Sequence, residues 1–474
     1  MDTVDQTVDA RNAYAAFLAR KAQNDADAGF AASFFPDAAF DFQRALIEWT
    51  VRKGRAAIFA DTGLGKSLIE AAVAENIVRH TNGRVLVLTP LAVGAQWVRE
   101  AAKFGVESTR SEMIGSAGVY VTNYQRLHHY NPSDFVGLVC DESGILKNFD
   151  GTTKAAVTEF ARTLAYRLLC TATPAPNDYV ELGTSSEALG YLGHMDMLGR
   201  FFKNDTNTSD TARKWAGHGG GAPRWRFKGH SQEPFWRWVC SWACAIRKPS
   251  DLGAFDDSRY QLPPLVEREH VIDARRPREG FLFSLPAHGL AEQREERSRT
   301  TVERCEKAAS LVVDTGQSAL CWAGTNAEAD LLERLIPGAV QVSGADDDAA
   351  QEEKFAAFES GQARVLVTKQ SIASWGLNWQ HCAHQTCFAG YSFEQYYQGV
   401  RRSWRFGQTR PVVIDNVRSD GEGEVLANRQ RKAAQAERMF AQLVGYMRDG
   451  QHVARSSHGE IHVDVPSWLR AEVS

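Results

Sequence analysis

Ala60-Asp61-Thr62-Gly63-Leu64-Gly65-Lys66-Ser67 follows a short apolar run, Ala56-Ala57-Ile58-Phe59, and precedes a helix-like run from Leu68 to Val78. This order reads as a strand, a glycine-rich loop and a helix N-terminus. Such a loop turns successive backbone N–H groups toward one point and makes a nest for phosphates. Lys66 can reach the β- and γ-phosphates and the Ser67 hydroxyl can hold Mg²⁺, with Thr62, Gly63 and Gly65 completing the cradle. The strict pattern has Gly where this chain has Ala60, and a purely structural glycine turn is the competing reading.

Val136-Gly137-Leu138-Val139-Cys140-Asp141-Glu142 is an apolar strand ending in two adjacent carboxylates. It follows the loop by about 75 residues, the spacing expected inside one α/β unit. Nucleotide hydrolysis needs one acid on the Mg²⁺ shell and another to polarise water. Asp141 suits the first role and Glu142 the second, as general base. Thr171-Ala172-Thr173-Pro174 ends another apolar strand. Its hydroxyls can bond the carboxylates and link the nucleotide state to a neighbouring lobe; ordinary strand-end capping is the plainer alternative.

Far downstream, Gln395 to Gln408 carries Arg401, Arg402 and Arg405. A charge run is usually a solvated face. Arg402 and Arg405, three apart, are expected to share a helix face. A pair of arginines facing a γ-phosphate would neutralise charge in the transition state.

Short apolar runs alternate with helix-like stretches twice along the chain. The expected strands are 56–59, 85–89, 118–122, 138–140 and 167–171 in the first region, and 319–322, 339–342, 364–368 and 412–414 in the second. Such alternation implies βαβ units and parallel sheets, with chemistry at the carboxyl ends of the strands. Between the regions, about 185–264, five tryptophans (Trp215, Trp225, Trp236, Trp238 and Trp242) and several basic residues mark an inserted module. Packing is the favoured reading for Trp236, Trp238 and Trp242. Arg224-Trp225-Arg226-Phe227-Lys228 interleaves charge and rings and is read equally as packing or as a nucleic-acid platform. A basic amphipathic helix is expected from Val425 to Met447, and a short docking helix before about Asn24, with Tyr14, Phe17 and Leu18 on its stripe.

A chain of 474 residues suggests roughly two to four domains. Apolar residues make up 43% and charged residues 24%, as expected of a largely folded protein. The net charge of −4 means that any nucleic-acid contact must come from local basic patches. No apolar run reaches membrane-spanning length and the N-terminus lacks a signal pattern, so no membrane partner and a cytoplasmic location are expected. The eight cysteines lack dense regular spacing, which fits a reducing compartment. His381, Cys382, His384 and Cys387 match no usual zinc spacing and read as part of a buried strand.

These motifs together resemble a superfamily 2 helicase of the Swi/Snf-like branch, most of all compact phage-encoded versions of these DEAD/DEAH-box-type helicases. The resemblance spans roughly Phe40 to Met447. Phe42-Gln43 resembles the adenine-reading element, so Gln43 would bind the base. Ala60 to Ser67 is similar to motif I, where alanine at the first position is common in helicases. Thr89-Pro90-Leu91 with Gln96-Trp97 and Glu100 resembles motif Ia, and Val121-Thr122-Asn123-Tyr124 motif Ib. Asp141 to Asn148 resembles motif II, with Gly144 replacing the histidine that in this branch links the nucleotide site to motif III. Thr171, Thr173, Asn177 and Glu181 resemble motif III and its tail. Thr368 and Gly376-Leu377-Asn378 resemble motif V. Gln398, Arg402, Arg405, Gly407 and Gln408 resemble motif VI, with Arg401 where glycine or aspartate is usual and Trp404 where histidine is usual.

The resemblance implies an α/β fold of two tandem RecA-like domains, an inserted, mainly helical tryptophan-rich module and a C-terminal helix. The expected divisions are 1–36, 37–184, 185–264, 265–420 and 421–474. It implies ATP and Mg²⁺ as ligands, held by Gln43, Thr62, Gly63, Gly65, Lys66, Ser67, Gly376, Arg402 and Arg405, with Ser67 and Asp141 on the metal. Catalysis falls to Lys66, Asp141, Glu142, Arg402 and Arg405, and coupling to Thr171, Thr173 and Gln398. Thr89, Pro90, Thr122, Asn123 and Thr368 would touch the nucleic-acid strand, mostly at phosphates. The implied activity is an ATP-dependent DNA helicase or duplex DNA translocase, on duplex DNA or a single-strand/duplex junction. A monomer is compatible with this reading, and phage or host replication and recombination proteins are candidate partners. The rivals are an RNA helicase, an ATP-switched clamp or remodeller that displaces bound proteins without unwinding, and the motor part of a restriction or recombination assembly. Gln96-Trp97, Lys147-Asn148 and Arg405-Phe406-Gly407-Gln408 favour DNA over RNA.

Overall fold

The computed structural model describes residues 27–110, 113–204, 225–272, 290–373, 377–388, 390 and 392–456. The predicted N-terminal stripe, Trp215, Arg224 and Gly376 lie outside the described residues.

The first lobe contains α1 (Asp41–Lys53), β1 (Arg55–Ala60), α2 (Lys66–Thr81), β2 (Arg84–Thr89), α3 (Gly94–Lys103), β3 (Ser108–Thr109), β4 (Gly118–Asn123), β5 (Gly137–Cys140), α4 (Thr152–Ala161), β6 (Tyr166–Thr171), α5 (Leu182–Leu189), α6 (His194–Phe201), β7 (Phe202–Asn204), β8 (Trp225–Phe227), α7 (Gln232–Trp242) and β9 (Ala243–Ile246). The second contains β10 (Leu265–Ile272), α8 (Leu290–Arg299), α9 (Thr301–Thr315), β11 (Ala319–Ala323), α10 (Asn326–Leu335), β12 (Ala339–Val342), α11 (Asp348–Glu359), β13 (Val365–Lys369), α12 (Gln370–Ala373), β14 (His384–Phe388), α13 (Phe393–Val400) and β15 (Val412–Ser419). A long helix, α14 (Gly423–Ser456), follows.

Each lobe is a RecA-like unit built on a parallel sheet with helices around it. The first sheet has the order β3-β4-β2-β5-β6-β1-β9 and the second β10-β15-β14-β11-β13-β12. Both are parallel at every described pairing. Helices on both faces exclude water, which is why the inner strands read as near-continuous apolar runs. Ala56 to Ala60, Val85 to Leu88 and Val365 to Val367 are all buried. The small side chains of Ala71, Ala72 and Ala74 let α2 lie against this sheet, and all three are buried.

Strand order places the chemistry. Because β5, β6 and β1 are adjacent, the loops leaving them put Asp141, Thr171 and the phosphate-loop sequence side by side. The ends of β2 and β4 lie next to each other in register, Thr89 against Asn123.

The tryptophan-rich stretch is mainly helical among its described residues and is continuous with the first lobe. It supplies β9, which pairs with β1 from Ala57↔Ala243 to Ala60↔Ile246. Phe235, Trp236 and Trp242 are fully buried in the first core, and Trp238 packs against it. Trp225 and Phe227 sit on β8, antiparallel to β7. Phe227 stacks on Phe202 at 4.5 Å, so the rings of that stretch pack onto the lobe.

Helix α14 begins in the second lobe and ends on the first. Met439, Phe440, Leu443 and Met447 join the first lobe's core, Arg247 pairs with Glu437, and Ala245 N–H meets Met447 Sδ at 2.9 Å. No helix among the described residues is long and apolar enough to cross a membrane.

Candidate active site

The loop between β1 and α2 has two left-handed glycines, Gly63 (φ 89°) and Gly65 (φ 83°). Neither accepts a side chain. A Cβ on Gly65 would lie 2.2 Å from Gln43 Nε2, and one on Gly63 would lie 2.9 Å from the backbone nitrogen of Phe406 in the other lobe. Helix α2 starts at Lys66 without a side-chain cap, and Lys66, Ser67 and Leu68 line the cleft; a helix N-terminus so placed suits an anion. Lys66 Nζ donates to Ala60 O at 3.1 Å. Gln43 accepts from Phe40 N at 2.9 Å and donates to Leu64 O at 2.9 Å, which ties the adenine-reading candidate to the loop itself.

Asp141 and Glu142 follow β5 and are both buried. Tyr124 donates its phenol to Asp141 O at 2.6 Å. Burial, then the charges of Glu70 and Glu142, push the Asp141 carboxyl well above its usual range, while Lys66 pulls it down. Glu142 has a left-handed backbone (φ 50°, ψ 48°), a conformation that costs a non-glycine residue about 1–3 kcal/mol. Its side chain lines the cleft, and Oε2 is buried without a hydrogen-bond partner among the described residues.

The arginines arrive from the second lobe. The expected shared helix face is corrected: α13 stops at Val400. Arg402 N and Ser403 N then bond to Gly399 O and Val400 O, and these tighter i→i+3 bonds end the helix in turns. The two guanidiniums still converge. Arg402 donates to Leu377 O (2.7 Å), Gln398 O (3.0 Å) and Gln398 Oε1 (3.1 Å). Arg405 donates to Leu377 O at 3.3 Å, and its Nε is buried and unpartnered among the described residues. Burial, with Arg405 adding repulsion, draws Arg402 down to about 9. Burial draws Arg405 down to about 10, with Arg401 repelling it and Glu100 opposing the shift. Both stay charged at neutral pH.

A cleft of about 330 Å³ lies between the lobes. Gln43, Thr62, Gly63, Gly65, Lys66, Ser67, Asp141, Glu142, Arg402 and Arg405 all line it. Its size falls in the range of small-molecule sites. The orphaned Glu142 and Arg405 atoms, the glycine cradle and the lysine suit a magnesium nucleotide.

The coupling candidates also meet. Thr173 N donates to Thr171 Oγ1 at 3.1 Å, and Gln398 Nε2 reaches Thr173 Oγ1 at 3.5 Å across the cleft. The strand-contact candidates lie at the carboxyl ends of β2, β4 and β13. Thr89 and Thr368 are fully buried and donate their hydroxyls to Thr122 O (3.4 Å) and Val342 O (3.0 Å). Asn123 caps the following turn by accepting from Arg126 N at 3.0 Å. Pro90 is half-buried beside them. Cys382 and Cys387 are buried in the second core, while His384 is held by Asp415 at 2.7 Å.

Three residues at or near the site carry no assignment from the sequence. Glu70, one turn after Lys66, is fully buried and accepts from Trp97 Nε1 at 3.0 Å; a lone carboxylate in an apolar helix was the available signal. Tyr260 lines the cleft and stacks on Phe406 at 4.9 Å, with no local signal at all. Glu394 sits four residues before Gln398 on α13, one helical turn away.

No protein-family model and no curated protein matches the chain. Among solved structures, it is similar to the Sulfolobus solfataricus SWI2/SNF2 ATPase core in complex with dsDNA. The two are 15% identical, with 82% of this chain and 90% of that chain covered and a TM-score of 0.40.

Proposed function

We propose that this chain is an ATP-hydrolysing motor that moves along DNA, as a duplex translocase or helicase. The observation that carries this reading is the shared cleft: Lys66, Ser67, Asp141 and Glu142 come from one lobe, and Arg402 and Arg405 from the other. A site split between two lobes ties hydrolysis to their relative movement.

Gln43 holds the base, and the loop from Thr62 to Ser67 holds the phosphates. Ser67 and Asp141 hold Mg²⁺, which neutralises phosphate charge when bound. Glu142 accepts the proton of the attacking water, and Arg402 and Arg405 stabilise the charge that develops on the transferred group. The strand ends carrying Thr89, Pro90, Thr122, Asn123 and Thr368 form the track side. Because Thr89 and Thr368 are fully buried with their hydroxyls engaged within the lobes, their more accessible neighbours at the strand ends, Pro90 above all, would meet the strand first, and sequence preference would be weak. The motif Ia, II and VI resemblances favour DNA as the track.

The test is ATP turnover measured with no nucleic acid, single-stranded DNA, duplex DNA and RNA. Strongest stimulation by duplex DNA is expected. Equal turnover in all four removes the motor reading, and a strand-displacement assay then separates helicase from translocase.

A further inference from the structure

Glu394 belongs to the second lobe, yet the residue is only 3% exposed and its carboxylate meets groups of the first. Lys147 Nζ pairs with its Oε2, and Thr173 Oγ1 donates to its Oε1 at 3.4 Å. A side chain at residue 144 would crowd the niche it fills. A Cβ on Gly144 would lie 3.1 Å from Glu394 Oε1, 3.2 Å from Thr173 O and 3.3 Å from Thr171 Oγ1. A carboxylate is withdrawn from water only where charge and hydrogen bonds replace the solvent, and Lys147 and Thr173 supply both.

These two partners follow different strands of the first lobe. Lys147 closes the short 3₁₀ turn, Ser143–Lys147, that Glu142 caps. Thr173 follows β6. One turn further along α13, Gln398 reaches the same Thr173 hydroxyl, and the chain then passes directly to Arg402 and Arg405. One short helix and the turns that directly follow it therefore touch the general-base turn and carry the arginines.

We propose that Glu394 is a positioning residue that makes lobe closure and alignment of Glu142 one event. Seated beside Gly144, it fixes the base-bearing turn in register with the arginines. When the lobes part, it leaves Lys147 and Thr173 together, and both halves of the catalytic site lose their alignment. This rests on the ATPase reading above.

The test compares wild type, Glu394→Gln, Glu394→Ala, Lys147→Glu and the swap Lys147→Glu/Glu394→Lys. ATP turnover is measured with saturating duplex DNA, and closure is read as energy transfer between labels on the two lobes. Glu394→Gln is expected to lower kcat about tenfold and Glu394→Ala further, with KM for ATP within about threefold of wild type. The swap is expected to recover to within about threefold of wild type. A residue that only supports the fold would lower the folded fraction and would not be rescued by reversing the charges. Single variants within about twofold of wild type, or a swap no faster than the slower single variant, overturn the proposal. Should Glu394→Ala fail to fold, the near-isosteric Glu394→Gln decides. A wild type without ATP turnover refutes the ATPase reading instead. Energy transfer then decides the coupling alone: weaker closure in Glu394→Gln supports it and unchanged closure overturns it.

Discussion

Arg401, just past the end of α13, crosses the cleft and pairs with Asp61 in the phosphate loop. Tyr397, one turn earlier, donates its phenol to the other Asp61 oxygen at 2.6 Å. Burial works against the Arg401 charge, but Asp61 and Tyr397 hold its proton and raise it above the usual value. Its guanidinium also lies 4.5 Å over the Trp404 ring. Arg401, a departure from the resembled motif, thus fastens the arginine-bearing turn to the phosphate loop. Removing one partner of a buried ion pair costs about 3–5 kcal/mol, here charged against the closed arrangement. Arg401→Ala should open the lobes and slow turnover, while Asp61→Asn/Arg401→Gln should be milder than Arg401→Ala. Interlobe energy transfer and ATP turnover read both effects; unchanged closure in Arg401→Ala would show that the pair is dispensable.

Glu142→Gln keeps the volume of the side chain and removes the base. We expect nucleotide affinity close to wild type and hydrolysis slower by about 10²–10⁴-fold. Binding of a fluorescent nucleotide alongside single-turnover hydrolysis separates the two quantities. Full turnover in this variant would refute the role of Glu142.

The two cleft arginines should differ. Arg402 is held by Leu377 O and both Gln398 oxygens, so Arg402→Ala strands buried acceptors and should cost about 1–3 kcal/mol in thermal stability besides slowing hydrolysis. Among the described residues the Arg405 guanidinium bonds to Leu377 O alone, so Arg405→Ala should slow hydrolysis by about 10³–10⁵-fold with a smaller loss of stability. Calorimetric melting measured beside turnover gives the comparison, and equal melting shifts would contradict it.

Asp415 lies between His270 (2.8 Å) and His384 (2.7 Å) in the second lobe. Burial alone would raise its carboxyl, but the hydrogen bonds from His384 and His270 prevail and hold it below the usual value. A lowered folded-state value means that the unfolded chain binds the proton more readily. Its contribution is therefore complete above the ordinary carboxylate value and is lost as pH falls through the lowered one. Asp415→Asn should lower stability at pH 7 by about 1–3 kcal/mol, and the gap from wild type should narrow in acid. Denaturant melts across the acid range measure this; a gap independent of pH would show that the charge is irrelevant.

The strands and the phosphate loop were legible because their causes are local. An apolar run bounded by turn residues makes a buried strand wherever it lies, and Gly63 and Gly65 permit a backbone that other residues resist. Asp141, Glu142, Arg402 and Arg405 could be named from residue type and order alone. Composition also separated the tryptophan-rich stretch, but only the fold showed that β9 extends the first sheet and that Trp236 and Trp242 belong to the first core. The partnerships across the cleft were not legible. Arg401 and Asp61 are 340 residues apart, and Lys147 and Glu394 are 247 apart. Nothing near Glu394 distinguishes it from a solvated helix carboxylate. A charge is buried only where an opposite charge meets it, and in this chain that meeting depends on how two separately folded sheets close upon each other.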